Sequence, residues 1–381
     1  MWLSGLRLTD FRSYANVELE LAPGVVTFVG QNGQGKTNLV EAVVYASLLD
    51  SHRVASDAPL VRVGADRAVV GIDLRRDERS VTVEIEINPG KSNRARINRA
   101  AATRARDVLG IARTVMFSPE DLALIKGDPS DRRRFLDEVI VQRTPRLAGV
   151  RADYERVLKQ RNALLKSAAG ARRSHNDDVV RTLEVWDEQL ADAGSEIVAA
   201  RSVLLQELRP HLLDTYAVIA GGSEAVSAVD VEVRYQSSAG EESSAAGTDR
   251  SAWREALLSA IAERRRDELD RGITLVGPHR DDVVISLGGL PAKGYASHGE
   301  SWSLALALRL ASRDVLNADG DDPILILDDV FAELDAPRRV RLAERIGPAT
   351  QVFITAAVDE DVPDSLRGER WMVTKGEVRH G

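Results

Sequence analysis

Cysteine is absent from the 381-residue chain, which excludes disulfides, thiolate zinc sites and a cysteine nucleophile and fits a reducing compartment. An excess of positive charge is absent too. Lysine and arginine number 51 against 59 aspartates and glutamates, a formal net charge of -8, so any hold on nucleic acid must come from a local patch. No stretch approaches the roughly 18 uninterrupted apolar residues of a membrane span, and Met1 to Asp10 lacks a basic segment followed by an apolar one. These absences predict a cytoplasmic protein with no membrane partner. What is present is a 44% hydrophobic composition, enough to bury one large or two ordinary domains.

Apolar and polar residues alternate over Leu3 to Leu8 and Val17 to Leu21, and an apolar run, Val25 to Val29, ends at Gly30. This reads as strands feeding a glycine-rich turn, with a core helix, Asn38 to Leu49, behind it. Val69 to Leu74 and Val81 to Ile87 read as a hairpin. The pattern then changes: Leu147, Val150, Tyr154 and Val157 step by three and four, breaking at Arg161. After a polar break at 167–178 the step resumes through Val179, Leu183, Trp186, Leu190, Ala193, Ile197, Ala200 and Leu204, which predicts two antiparallel helices. A strand at Val229 to Tyr235, a loose loop at 237–248, a helix at Ser251 to Arg271 and a strand at Ile273 to Val276 lead back to α/β character. We expect a mixed α/β head from residues 1–140 and 272–381 and a mainly helical arm or lid over 141–271.

Gly30-Gln31-Asn32-Gly33-Gln34-Gly35-Lys36-Thr37 matches G-x-x-x-x-G-K-[ST] between a predicted strand and a predicted helix. Glycines let successive backbone N–H groups and the helix N-terminus face phosphates, Lys36 reaches the β and γ phosphates, and Thr37 offers a hydroxyl to Mg²⁺. The apolar strand Ile324 to Leu327 ends in Asp328 and Asp329. Asp328 is placed to hold Mg²⁺, and Asp329 to orient or deprotonate the attacking water, so Lys36 and Asp329 are the expected catalytic pair. ATP and Mg²⁺ are thus the expected ligands.

Roughly 290 residues separate Lys36 from Asp328, with the helical arm between them. This arrangement resembles the split ATPase head of the ABC superfamily. There a serine-and-glycine signature precedes the second acidic motif, and here Ser297, Gly299 and Glu300 precede an apolar helix, Leu304 to Ala311. The resemblance implies that these residues touch the γ-phosphate held by an opposite subunit, so that two subunits sandwich two ATP molecules. Glu333-Leu334-Asp335 resembles the D-loop, and Thr355 stands where transporters carry a histidine.

Further segments resemble the RecF family in particular. They are Phe11-Arg12-Ser13-Tyr14, Gly33 to Asn38 with Glu41-Ala42, Phe117-Ser118-Pro119-Glu120-Asp121, Lys126 to Pro129, Arg132 to Asp137, Gly277 to Asp282 and Asp328 to Asp335. The family's signature usually continues through glutamine and arginine, whereas this chain has Glu300-Ser301-Trp302, which removes a positive charge. The resemblance implies an ABC-type ATPase head and a recombination mediator that binds duplex or gapped DNA without sequence preference. It also implies weak DNA-stimulated ATP hydrolysis, an ATP-dependent homodimer, a place in gap repair, replication restart and SOS induction, and work with RecR and RecO to load RecA. Alternatives are a non-hydrolysing ATP-gated DNA clamp and a short-armed SMC-like ATPase. Lys91, Arg94, Arg96, Arg99, Arg104 and Arg106 crowd together with no acidic residue between Lys91 and Arg106, which suits phosphates. No aromatic residue interleaves them, which disfavours base stacking.

Overall fold

The structure, a computed structural model, describes residues 1–170, 177–221, 231–240 and 247–381. In chain order it runs β1 (Trp2–Phe11), β2 (Tyr14–Glu20), β3 (Gly24–Val29), α1 (Lys36–Leu48), β4 (Ala68–Arg76), β5 (Arg79–Ile87), β6 (Arg94–Ile97), β7 (Ala100–Ala101) and β8 (Thr114–Phe117). There follow α2 (Ala123–Lys126), α3 (Pro129–Arg143), α4 (Arg146–Gly170), α5 (Asp177–Ala220), β9 (Val231–Gln236), α6 (Arg250–Arg271), β10 (Asp282–Leu287), β11 (Leu290–Pro291) and α7 (Ala292–Tyr295). The last elements are α8 (His298–Ala318), β12 (Ile324–Asp328), α9 (Ala336–Ile346), β13 (Gln351–Ala356), β14 (Glu369–Thr374) and β15 (Glu377–His380). The described residues of 1–122, 211–228 and 298–381 form one compact unit, and those of 123–210 and 229–297 another. Among the described residues no helix is long and apolar enough to cross a membrane.

The first unit holds two six-stranded sheets. One has the order β2-β1-β4-β5-β6-β7 and is antiparallel, as its alternating sequences require. The other has the order β15-β14-β3-β13-β12-β8, with β14, β3, β13, β12 and β8 parallel. Every residue of β12 and β13 is buried, which accounts for their continuous apolar runs. Helix α1 is buried on most sides because it belongs to one core cluster with both sheets, Tyr45 and Leu39 beside Leu8, Phe28, Ile326 and Phe353. Gln351 ties the sheets: its side chain accepts from the Leu3 amide at 2.8 Å and donates to the Leu3 carbonyl at 2.9 Å, so a buried amide is fully used.

The second unit sets α3, α4, α6 and α5 as far as Pro210 with the three-stranded sheet β11-β10-β9. Tyr154, Val157, Leu190 and Ile197 of the seam pack against Leu257 and Ile261 of α6. The break at Arg161 is a buried charge site. Arg161 is 0% exposed and donates to Asp187 at 2.7 Å, Glu268 at 2.5 Å and the Thr274 hydroxyl at 2.8 Å.

Two expectations require correction. No strand forms over Ile273 to Val276, because its backbone donors are taken by side chains: Thr274 N–H goes to Asn162 Oδ1 and Leu275 N–H to Glu268 Oε1, each at 2.7 Å. The strand lies further on, as β10, which pairs with β9 from Asp282↔Gln236 to Leu287↔Val231. The unit boundaries also differ from 140 and 272. Residues 123–140 and 272–297 cluster in the second unit, where Arg132 of α3 holds Asp282 at 2.7 Å, and residues 211–221 in the first. The expected polar break at 167–178 and loose loop at 237–248 fall partly on 171–176 and 241–246, and the first residues of the Val229 to Tyr235 strand on 229–230, outside the described residues.

Candidate nucleotide-binding site

Residues 30–37 form the turn from β3 into α1, with Gly33 at φ +78° and Gly35 at φ +114°, conformations that L side chains rarely adopt. Gly35 also has no room for a side chain, since a Cβ would lie 2.8 Å from the Tyr14 hydroxyl, which donates to the Gly35 carbonyl at 3.0 Å. Gln34 is held from the far end of the chain: its side-chain oxygen accepts from Lys375 N–H at 2.7 Å. The buried Lys36 ammonium donates to the Gly30 carbonyl at 2.7 Å and lies 3.9 Å from Asp329 Oδ1.

Parallel pairing of β12 with β13 brings the two aspartates to the same edge, because Asp328 stands opposite Thr355. Thr355 Oγ1 donates to Asp328 Oδ1 at 2.6 Å and accepts from Asp329 N–H at 2.9 Å. Thr37 Oγ1 donates to the same Asp328 oxygen at 3.1 Å. Burial pushes the Asp328 carboxyl up to about 6, and the negative charges of Asp329 and Glu120 add to this while the Thr355 and Thr37 hydroxyls oppose it. A buried carboxylate that costs this much to ionise, beside a hydroxyl and a lysine, suits a dication and phosphate oxygens. The Thr37 and Asp328 oxygens are hard donors of the kind that would suit a Mg²⁺ ion. Asp329 holds φ +52°, in the left-handed region, and its Oδ1 lies 3.4 Å from the same Thr355 hydroxyl that bonds Asp328.

Around the turn, Arg12 clasps the buried Glu41 of α1 at 2.8 and 2.6 Å, with Ser51 at 2.5 Å and Arg53 at 3.2 Å. Burial pushes the Glu41 carboxyl up, but its bonds from Arg12 and Ser51 and the charges of Arg12 and Arg53 outweigh this and hold it below its ordinary value.

Ser297 immediately precedes α8, and Gly299 and Glu300 lie in its first turn. Trp302 belongs to the core: it is 2% exposed, packs edge-on against Phe117 at 5.5 Å and donates to His298 Nε2 at 2.9 Å. Asp335 caps α9, accepting from Arg338 N–H at 2.9 Å and Arg338 Nη1 at 2.7 Å.

A family model described as the RecF/RecN/SMC N-terminal domain matches residues 2–372. The DNA replication and repair protein RecF of Streptomyces avermitilis is 59% identical over 379 residues, 99% of each chain. The chain belongs to the RecF family. RecF of Kineococcus radiotolerans is 57% identical over 396 residues, covering 100% of each chain. Among solved structures, the recombination mediator protein RecF with ATPrS, described as part of the RecFOR pathway, superposes with TM-score 0.88 at 29% identity, covering 100% of this chain and 98% of that one. An Smc head domain from Pyrococcus furiosus shares the fold alone, with TM-score 0.54 at 16% identity, covering 100% of this chain and 96% of that one. The fold is an ABC-type ATPase head, a mixed sheet with a helical insertion.

In this RecF-family chain the basic segment is less uniformly positive than its sequence suggests. Pairing of β6 with β5 sets Arg96 2.9 Å from Glu84 and Arg94 3.9 Å from Glu86. Arg94, Arg96, Arg104 and Arg106 share a cleft of about 910 Å³ with both glutamates, whereas Lys91 and Arg99 are exposed outside its lining. Sequence reasoning left Tyr14, Glu120 and Lys375 out of the site, though Phe11 to Tyr14 and Phe117 to Asp121 both stood out as family segments.

Proposed function

We propose that this chain binds ATP with Mg²⁺ and hydrolyses it slowly as a DNA gap-repair protein, two copies closing on duplex or gapped DNA when ATP is bound. The observation that carries the reading is the meeting of Thr37 and Asp328 at 3.1 Å beside Lys36 and Asp329. Lys36 would hold the β and γ phosphates, and Thr37 and Asp328 a magnesium ion, which would offset phosphate charge. Thr355 keeps Asp328 aimed at that position. Asp329 would accept a proton from the attacking water as its oxygen bonds to the γ-phosphorus and the bond to the bridging oxygen breaks, releasing ADP. Ser297, Gly299 and Glu300, with Asp335, would face the ATP held by the second copy.

Binding to RecR and RecO, a place in replication restart and SOS induction, and a cytoplasmic setting accompany this reading, supported by the name of its relatives and the RecFOR description of a solved neighbour. The alternative of an ATP-gated clamp that does not hydrolyse is favoured by Glu300, whose carboxylate would sit near a γ-phosphate and slow closure. The helical unit is the proposed arm or lid. The test is ATP turnover with and without linear duplex DNA, in this protein and in Lys36→Ala and Asp329→Asn. Turnover that rises with DNA and is lost in both variants supports the hydrolysing reading, and DNA binding without turnover supports the clamp.

A further inference from the structure

The signature turn and the D-loop of one copy are joined by a side chain that neither motif contains. Arg338 lies in the first turn of α9, where Asp335 accepts from both its backbone N–H and its Nη1. From there the guanidinium reaches across to α8 and lies on Gly299: a Cβ at that position would come 2.9 Å from Nη2 and 3.2 Å from Nη1. Any side chain at 299 would displace it, so the signature glycine makes room for Arg338. Arg338 Nε is buried and finds no hydrogen-bond partner among the described residues, while 25% of the side chain is exposed, so a ligand would meet the guanidinium through that exposed part.

The charges on this face are unevenly distributed. The signature turn carries Glu300 and the D-loop carries Glu333 and Asp335, so both segments bring negative charge to the face that a triphosphate would approach. Arg338 stands among them. Burial pushes the Tyr216 hydroxyl up to about 12, with the charge of Glu300 raising it further and that of Arg338 lowering it. A guanidinium with one edge on a carboxylate and the other over a glycine presents fixed donors to a phosphate, the geometry in which arginine exceeds lysine.

We propose that Arg338 is a phosphate-binding residue of the signature face, held by Asp335 and seated on Gly299, which contacts the ATP carried by a second copy and offsets the charge of Glu300. This rests on the proposed ATP sandwich. It also gives the acidic signature a way to work: the cation missing from the turn itself is supplied from α9.

The experiment is sedimentation equilibrium with adenosine 5′-O-(3-thiotriphosphate) and Mg²⁺, comparing this protein with Arg338→Gln, Arg338→Lys, Glu300→Gln and the Arg338→Gln/Glu300→Gln double variant. Melting of each nucleotide-free variant is recorded first, and Arg338→Lys carries the test if Arg338→Gln melts early. The expected result is a dimer dissociation constant raised at least about 10-fold by Arg338→Gln and less by Arg338→Lys, with most of the loss restored by Glu300→Gln in the double variant. Dimerisation unchanged in Arg338→Gln and Arg338→Lys overturns the assignment. So does a loss that Glu300→Gln leaves unrepaired, since a simple strut to the D-loop would behave that way. If the parent protein stays monomeric with the analogue, the sandwich itself fails and the assignment falls with it, a result distinct from either of the others.

Discussion

Thr37 and Asp328, 291 positions apart, share a hydrogen bond of 3.1 Å. Neither side chain could be placed without the parallel sheet, because β3 delivers the turn before Thr37 and β12 delivers Asp328, with β13 between them. Thr355 of that middle strand bonds Asp328 and the Asp329 amide, so the strand separating the two motifs also aligns the acidic one. The helical insertion can therefore be long without loosening the site.

Asp329→Asn is expected to lower ATP turnover about 100-fold, the usual scale for losing a proton acceptor, while leaving nucleotide bound. Asparagine tolerates the φ of +52° at this position, so the backbone that carries it should persist. Parallel measurements of steady-state turnover and equilibrium binding of labelled ATP check this. Equal loss of binding and turnover would make Asp329 a ligand-holding residue.

The second unit should be sensitive to mild acid through His279. Its ring accepts from or donates to the Tyr154 hydroxyl at 2.6 Å, and burial, assisted by the charges of Arg280, Arg133 and Arg161, lowers it from 6.5 to about 4 although the Thr274 carbonyl opposes this. A depressed folded-state value means that the stabilisation is present above pH 6.5 and is lost as pH falls towards 4, because the unfolded chain takes up the proton first. The contribution is on the order of 2 kcal/mol after allowance for the ring's partial exposure. Thermal melts of this protein and His279→Gln between pH 7.5 and 5 should converge as pH falls. A constant difference across that range would exclude the histidine as the cause.

Local chemistry was legible in the sequence and partnership was not. The glycine spacing of 30–37 and the apolar run into Asp328-Asp329 fix conformation within a few residues, so their roles could be read directly. Tyr14 and Lys375 buttress the same turn from opposite ends of the chain, and no local pattern reports that. Composition misled at Ile273 to Val276, where apolar residues suggested a strand but Asn162 and Glu268 side chains had taken the backbone donors. Arg161 was visible as a broken seam, and only the fold explains the break, as two helices and a loop converge on it with their own polar groups.

Arg161→Met should cost about 3–5 kcal/mol, the range for removing one member of a buried ion pair. The loss is not a matter of volume, since methionine fills much of the space. It comes chiefly from Glu268, 0% exposed, which keeps its desolvation cost without the guanidinium, whereas Asp187, 3% exposed, retains its pair with Arg265. Adding Glu268→Gln should recover part of the loss, because a neutral amide oxygen can still accept from Leu275 N–H. Urea unfolding of the two variants measures it, and no recovery in the double variant would point to packing instead.

The basic segment gives a prediction in the direction opposite to the usual charge-removal test. Glu84 and Glu86 hold Arg96 and Arg94 through pairing of β5 with β6, and a phosphate must compete with those carboxylates. The Glu84→Gln/Glu86→Gln double variant should therefore bind duplex DNA more tightly than the parent. It should also steepen the fall of affinity with salt, by up to about 0.9 in the slope of log K against log salt for each arginine that gains a phosphate. Lys91, Arg99, Arg104 and Arg106 have no ion pair among the described residues, so their alanine variants should flatten the same slope, while Arg94→Ala and Arg96→Ala should change it little in the parent. Fluorescence anisotropy titrations with a gapped duplex across a salt series separate the cases. If the double variant binds with the parent's affinity and slope, the cleft faces away from DNA, and the contact must be sought on another surface.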